Sequence, residues 1–504
     1  MKNKNRFLLI VAFVSGFCIM AMEISASRLL APYFGTSIFV WTNIIGIVMV
    51  ALSLGYYFGG KLADRIPKIE LLLKLIFSAG CLFLIVPLII KPLSSMIDLG
   101  SLGLHSSAAI IFISSLLLTT ILFALPLILL GMVSPFIIKL FLLEKDNQVG
   151  ESAGRVSAVS TIGSILGTFL PTLLLIPVWG TRATINIFAL ILIALGSLGF
   201  RKKKTNLLFL AVLTPAFYFS GAQINTQPES IFEDESAYQY INIRQDAQGT
   251  KYLSVNEGAG IQSVYNSERA LTGYYYDYLN VLPYLLKSEE PKKVLIVGLC
   301  GGTIANQLSH FFPGELEIDG VEIDPKIINA AQKYFNINQT NTQIYNADGR
   351  MFLAGNSKKY DLIIVDAYAQ EFYIPWTLTT QEFWGLVKEN LTPTGIMAIN
   401  VNSVSPSSRL LKSIANTMAS VFPNTYITPI KDGNINYVLT ASRQPLNFSD
   451  LTEAVENNEL KSLAWSYQNN TEKIGYDANA MILTDDRAPV EFLTDSMALD
   501  YLKK

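Results

Sequence analysis

The sequence predicts an α-helical multi-pass membrane domain followed by an α/β domain of the Rossmann-like kind. Three observations carry this prediction. Of 504 residues, 51% are hydrophobic and only 15% charged, well outside the range of a soluble enzyme. The apolar residues are concentrated in long runs ahead of residue 222, whereas β-rich runs alternate with helical segments after residue 292. The charge divides the same way: residues 1–205 hold 17 Lys and Arg against 7 Asp and Glu, and the remainder holds 21 against 33. A net charge of −2 therefore conceals a basic front and an acidic rear.

The runs at 7–30, 38–60, 71–92, 107–143, 153–177, 181–200 and 207–221 mostly reach or exceed the roughly 20 residues a helix needs to cross a bilayer. Six or seven spans are expected, the last being the shortest. The first run continues through Glu23 and Arg28 without a small-residue cleavage site, so it is read as a retained span rather than a signal peptide. The fourth is too long for one simple crossing, and Pro126 and Pro135 are expected to kink it or to mark a protruding end. Lys and Arg gather at Lys2–Arg6, at Lys61–Lys68, around Lys139–Arg155 and at Arg201–Lys204, an alternation that places the N-terminus in the cytoplasm of a cell-membrane protein. Whether the acidic rear is inside or outside turns on the seventh run. Gly55 with Gly59, and Gly163 with Gly167, carry small residues at helical spacing and are expected to let backbones pack closely. Glu23 is open to two readings, an interface role or the lining of a solute path.

Several classes are excluded. Cys18, Cys81 and Cys300 have no paired spacing for disulfides or zinc, and His105 and His310 are the only histidines, so no metal site is expected. An acidic rear without a basic, aromatic-rich patch argues against nucleic acid as a partner.

In the rear, strands are expected at 294–298, 317–321, 343–346, 361–365 and 396–400. Glu322, Asp348 and Asp366 each follow a strand, at the edge where open α/β sheets hold ligands. Gly298, Gly301 and Gly302 leave the backbone open to a ligand, and a helix follows them. Glu322 stands 24 residues beyond Gly298, a spacing at which an acid can accept both hydroxyls of a ribose. The loop reads GLCGG, which suits a nucleoside better than a pyrophosphate. Asp348, followed by Gly349, could meet an exocyclic amine or simply form a turn. Asp366, after the apolar strand DLIIV, could orient or deprotonate an amine, or cap the next segment.

The runs VLIVGLCGG, GVEIDPKII, NADGR and YDLIIVDAY resemble the aminopropyltransferase family, the spermidine and spermine synthases. IFEDESAYQYINI, GIQSVY and YYYDYLNVLPYLL resemble that family's small N-terminal β-domain and its Tyr-His-Glu helix, so the likeness spans about residues 231–445. VDAY, IPWTLTTQEFW and LTDDRAPVE, behind membrane spans, resemble the membrane-fused branch. The loop GGKLADRIPK is similar to one in major-facilitator transporters, and half such a transporter would need to form a homodimer.

The resemblance implies residues 1–222 as the transmembrane domain, 223–285 as the β-domain and connecting helix, and 286–504 as a Rossmann-like domain of the S-adenosylmethionine-dependent transferase type. It implies aminopropyl transfer from decarboxylated S-adenosylmethionine, a co-substrate rather than a tightly bound cofactor, to a small amine, with 5′-methylthioadenosine leaving. Gln239 and Glu322 would hold the nucleoside, Asp348 and Gly349 the adenine, and Asp366 would accept the proton. Tyr275, Tyr276 and Asp277 would line the amine site. Departures are equally informative: Gly301 and Ala369 stand where the family has amine-binding acids, and Tyr276 and Asp277 replace His and Glu. Losing two charge-assisted bonds would weaken diamine binding by roughly 10²–10⁴. A membrane transport or binding protein with a nucleoside- or polyamine-sensing domain is the alternative, and a methyltransferase a third reading.

Overall fold

The computed structural model describes residues 2–34, 38–97, 108–143, 149–200, 229–256, 260–286, 292–339, 341–368, 373–430 and 436–502. The chain separates into two compact units, Met1–Gln227 with Glu233–Tyr240, and Pro228–Phe232 with Ile241–Lys504.

The first unit is helical: Lys2–Phe34, Ile38–Arg65, Ile69–Ile97, then a series of pieces from Ala108 to Leu142 and another from Val149 to Ser197. By length and composition, five stretches are able to cross a membrane. The fifth, Val149–Ser197, is 49 residues long and breaks at Gly180, whose φ of 77° and ψ of 168° turn it into two helices. Six of the expected runs are thereby helical, and the seventh, 207–221, lies outside the described residues. Within the fourth run lies a π-helical segment, Thr120–Ala124, just ahead of Pro126. Pro126 has no N–H to offer Leu122, so the hydrogen-bond register widens there. Pro177 follows the π segment Pro171–Leu175 for the same reason.

The small residues do what their spacing predicts. A Cβ on Gly163 would lie 2.1 Å from the Phe13 carbonyl oxygen, and one on Gly167 2.1 Å from that of Phe17, so the first helix lies directly against Val149–Leu170. Gly55 and Gly59 likewise meet Ile128 and Met132 at 2.5 Å. In an apolar bundle, such contact supplies the dispersion energy that the hydrophobic effect does not.

From Ser230 onward the chain forms two sheets. Strands β1 (Ser230–Glu235), β2 (Tyr240–Gln245), β3 (Lys251–Val255) and β4 (Ile261–Tyr265) form a small sheet in sequence order. The large sheet comprises β5 (Lys292–Val297), β6 (Leu316–Glu322), β7 (Thr342–Asn346), β8 (Tyr360–Val365), β9 (Leu391–Asn402), β10 (Asn424–Pro429), β11 (Asn436–Ser442) and β12 (Glu472–Ile474). Its order is β12-β10-β11-β9-β8-β5-β6-β7. The first five strands run parallel, as their continuous apolar runs predict, and are the Rossmann-like core. β10, β11 and β12 extend the sheet antiparallel. The chain leaves β5 toward β6 and β7 on one side and returns to β8 and β9 on the other. The crevice at that reversal, beyond the carboxyl ends of β5 and β8, is where such sheets bind ligands. Two apolar layers, one on each face, bury the sheet.

Candidate active site

The glycine loop follows β5 and folds back on it. Gly298 has φ of +90°, Cys300 +47° and Gly302 +81°, three left-handed residues within five. Glycine at 298 is required twice over: a Cβ there would lie 2.5 Å from the Asp366 carbonyl oxygen and 2.7 Å from Ala367 Cα. The β5 and β8 turns are thus in contact, and the Asp366 N–H donates to Val297 O at 2.8 Å. Gly302 opens the helix Thr303–Phe311, and Thr303 Oγ1 both accepts from Val264 N and donates to Val264 O, pinning that helix to β4.

Glu322, at the end of β6, is buried, and both carboxylate oxygens face backbone donors. Oε2 accepts from Cys300 N at 2.9 Å and Oε1 from Asp324 N at 3.0 Å. Burial raises its pKa to about 6, a shift those two N–H groups partly offset. It therefore shapes the glycine loop. Cys300, which carries no sequence signal beyond its place among glycines, lies beside it, and burial pushes its thiol well above the usual range. Asp348 follows β7 and caps the helix Gly349–Gly355 by accepting from Met351 N, while Gly349 sits where a Cβ would meet Val297 at 2.3 Å.

Asp366 follows β8 at the centre. Tyr275 Oη donates to it, at 2.9 Å from each carboxylate oxygen. Burial raises the Asp366 carboxyl to about 7, and the Tyr275 bond acts against that rise. The same carboxylate, after burial itself, raises the Tyr275 hydroxyl well above its ordinary value. Tyr368, which the sequence reading did not single out, donates to Asn400 O at 2.7 Å and accepts from Asn402 N, locking the segment after β8 onto β9.

The three residues read as amine contacts point in different directions. Tyr275 alone reaches Asp366. Tyr276 stacks on it with ring centroids 4.1 Å apart, but its hydroxyl donates to Ile261 O on β4. Asp277 is turned into the protein, where its carboxylate accepts from Thr272 N, Thr272 Oγ1, Gly273 N and Gln307 Nε2. That correction has a plain cause: one helical turn cannot present three consecutive side chains to one cleft. Gly301 is closed off too, since its N–H donates to Ser263 Oγ and a Cβ would lie 2.7 Å from Ser263 Cβ. Gln239 ends the turn from Ser236 ahead of β2, in the segment that clusters with the helical unit. Ala369 lies outside the described residues. A separate cavity of about 350 Å³ beside Thr303–Phe311 is lined by none of the residues expected to hold the nucleoside or the amine. Among the described residues no cluster of His, Cys, Asp and Glu could hold a metal.

A family described as spermine/spermidine synthase domain matches residues 274–448, a span that includes Tyr275, the glycine loop, Glu322 and Asp366. Over that span the chain is similar to a spermine/spermidine synthase domain. Its homologues include a probable polyamine aminopropyl transferase of Bifidobacterium longum, 34% identical over 280 residues, which covers 52% of this chain and 61% of that protein. A polyamine aminopropyltransferase of Vibrio vulnificus is 29% identical over 297 residues, 56% of this chain and 96% of that one. Among solved structures, a probable spermidine synthase from Corynebacterium glutamicum is similar at 18% identity and a TM-score of 0.41, covering 52% of this chain and 97% of that one. The chain thus spans about six-tenths of the first relative and nearly all of the second.

Proposed function

We propose that this spermine/spermidine synthase domain transfers an aminopropyl group from decarboxylated S-adenosylmethionine to a small amine, and that the helical unit tethers it to the membrane. The observation that carries the reading is the pairing of Tyr275 with Asp366 at the crevice between β5 and β8, one strand from Glu322. Glu322 receives the ribose hydroxyls through its remaining lone pairs, Gly298 and Gly302 let the nucleoside approach the backbone, and Asp348 and Gly349 flank the adenine. The amine nitrogen attacks the aminopropyl carbon next to sulfur, the C–S bond breaks, and its electron pair returns to sulfur as neutral methylthioadenosine. The proton lost by the new ammonium goes to Asp366. Because the sulfonium is its own leaving group, the protein's contribution is to align the reactants and hold the acceptor carboxylate in place.

The test is incubation of the purified full chain with decarboxylated S-adenosylmethionine and a panel of amines, following methylthioadenosine and the aminopropylated product together. Equal amounts of both are expected with at least one amine. Binding of the nucleoside with no release for any amine overturns the reading in favour of a sensor.

Arg350, next to Gly349, forms a two-pronged bond with Asp485 of the LTDDRAPVE segment and also donates to Thr377 O. Asp485 accepts from Thr380 Oγ1 as well, and Arg350 holds its carboxyl below the ordinary range. This clamp ties the loop after β7 to two distant segments. Asp485→Asn is expected to weaken methylthioadenosine binding about threefold to tenfold, a modest effect for a half-exposed pair. Titration calorimetry checks it.

The N-terminus is proposed to be cytoplasmic. Reporter fusions after Arg201 and after Gln223 are expected to agree if the run 207–221 lies in the interface, and to differ if it spans.

A further inference from the structure

Asn400 is 1% exposed, and neither its Nδ2 nor its Oδ1 has a hydrogen-bond partner. A buried amide with both ends unpaired destabilises the fold, and it persists where a ligand supplies what the protein withholds. Its position names that ligand's site. Val365 and Ile399 are paired across β8 and β9 and pack in the same apolar layer, so the next residues, Asp366 and Asn400, turn to the opposite face. That is the face of Ile364 and Ala398, which pack with Tyr275 and Tyr276. Asn400 therefore stands on the neighbouring strand, on the same face as Asp366. On β11, Val438 pairs with Asn400, and Asn436, two residues along on the same face, has an Oδ1 that is also unpaired.

The charge at this end of the cleft is equally specific. Asp366 is the carboxylate that Tyr275 contacts, whereas Asp277 beside it is turned into the protein, its oxygens taken by Thr272, Gly273 and Gln307. One carboxylate serves one ammonium. A second ammonium would leave water to face phenol rings and a neutral amide, which is unfavourable. A hydroxyl answers both orphan functions of Asn400 at once, donating to Oδ1 and accepting from Nδ2.

Resting on the transfer reading above, we infer that the acceptor is an amine with a single positive charge whose other end carries a hydroxyl or similar neutral polar group, seated on Asn400. The nitrogen lies at Asp366 and Tyr275, and the neutral end reaches toward β9 and β11.

Matched acceptors test this: 4-amino-1-butanol, butane-1,4-diamine and butylamine, with the three-carbon analogues of each. In the wild-type full chain the amino alcohol is expected to exceed both others in kcat/KM by about tenfold or more, the worth of a satisfied buried amide. Asn400→Leu should erase the advantage of the amino alcohol over butylamine while leaving methylthioadenosine binding unchanged, and should raise Tm because the orphan amide is gone. Asn400→Asp should shift preference to the diamine, and Asn400→Gln should restore part of the amino alcohol's advantage. A wild-type preference for the diamine overturns this inference and leaves the transfer reading standing, as does an Asn400→Leu enzyme that still favours the amino alcohol. Absence of release with every acceptor overturns both.

Discussion

Asp366→Asn is expected to lower kcat for methylthioadenosine release by about 10²–10⁴, the usual contribution of a positioned proton acceptor. The amide fills the same space and still accepts from Tyr275, so nucleoside binding should change little. The same substitution has a pH signature in stability. Burial holds the folded Asp366 carboxyl at about 7, above its ordinary 3.8, so folding favours the protonated acid. That contribution is fully present below the unfolded value and is lost as pH rises through 7. Asn does not titrate. Its Tm advantage over wild type is therefore expected to open as pH rises from 4 to 7 and to remain constant above. Melting curves on that pH series, read beside kcat, separate a proton acceptor from a carboxylate that merely caps the segment after β8: a cap would be lost with destabilisation at neutral pH, not with a gain.

Gly298→Ala should have the largest effect of any single methyl group in this unit. The left-handed backbone alone costs about 1–3 kcal/mol for an L side chain. In addition, the new Cβ would fall 2.5 Å from the Asp366 carbonyl oxygen, so β5 and β8 would have to part at the crevice itself. Methylthioadenosine binding is expected to weaken by at least about 100-fold, with a clear fall in Tm. Gly385→Ala is the control. It lies within the helix Gln381–Asn390 with nothing near its Cβ, where alanine should be neutral or stabilising by up to about 1 kcal/mol. Parallel calorimetry on the two variants decides whether glycine is needed at 298 for its conformation or only as a small residue.

Much of the rear architecture could be read from short-range pattern. Five apolar runs bounded by turns became five parallel strands, and the acids that close three of them lie at the ligand-binding edge because a strand's end and a sheet's crevice coincide. Helices in the front were legible for a related reason, since a bilayer-length apolar run has few alternatives. What stayed hidden depends on distance in sequence or on direction. β10 to β12 have alternating patterns interrupted by polar residues, and only pairing with β9 makes them part of the large sheet. Arg350 and Asp485 are 135 residues apart, and neither segment alone announces the other. Asp277 could not be assigned a direction from composition: its neighbour Tyr275 faces Asp366, whereas Thr272, Gly273 and Gln307 claim its own carboxylate. Asn400 left no trace in the sequence at all. An asparagine at the end of an apolar strand looks like a turn signal until its burial and its lack of partners are seen together.

The glycine loop teaches the same lesson in reverse. Gly301 reads as a missing acid, and the structure gives the physical reason that no acid fits there in this backbone: Ser263 occupies the space and binds the Gly301 N–H. The loop is held against β4 rather than opened toward an amine. Among the described residues, the lack of an acid at 301 is thus built into the packing around it, in keeping with an acceptor that carries one charge.

Single turnover is the most direct measurement of whether this domain works as an enzyme. With the full chain in excess over decarboxylated S-adenosylmethionine, so that all of the nucleoside is bound, an amine is added and the mixture quenched over time. Each bound sulfonium is expected to yield one methylthioadenosine and one aminopropylated amine in the wild type, and Asp366→Asn to slow this step by about 10²–10⁴ while binding the same amount of nucleoside. Quantitative binding of decarboxylated S-adenosylmethionine that stays intact in the wild type, whatever amine is supplied, would contradict this expectation.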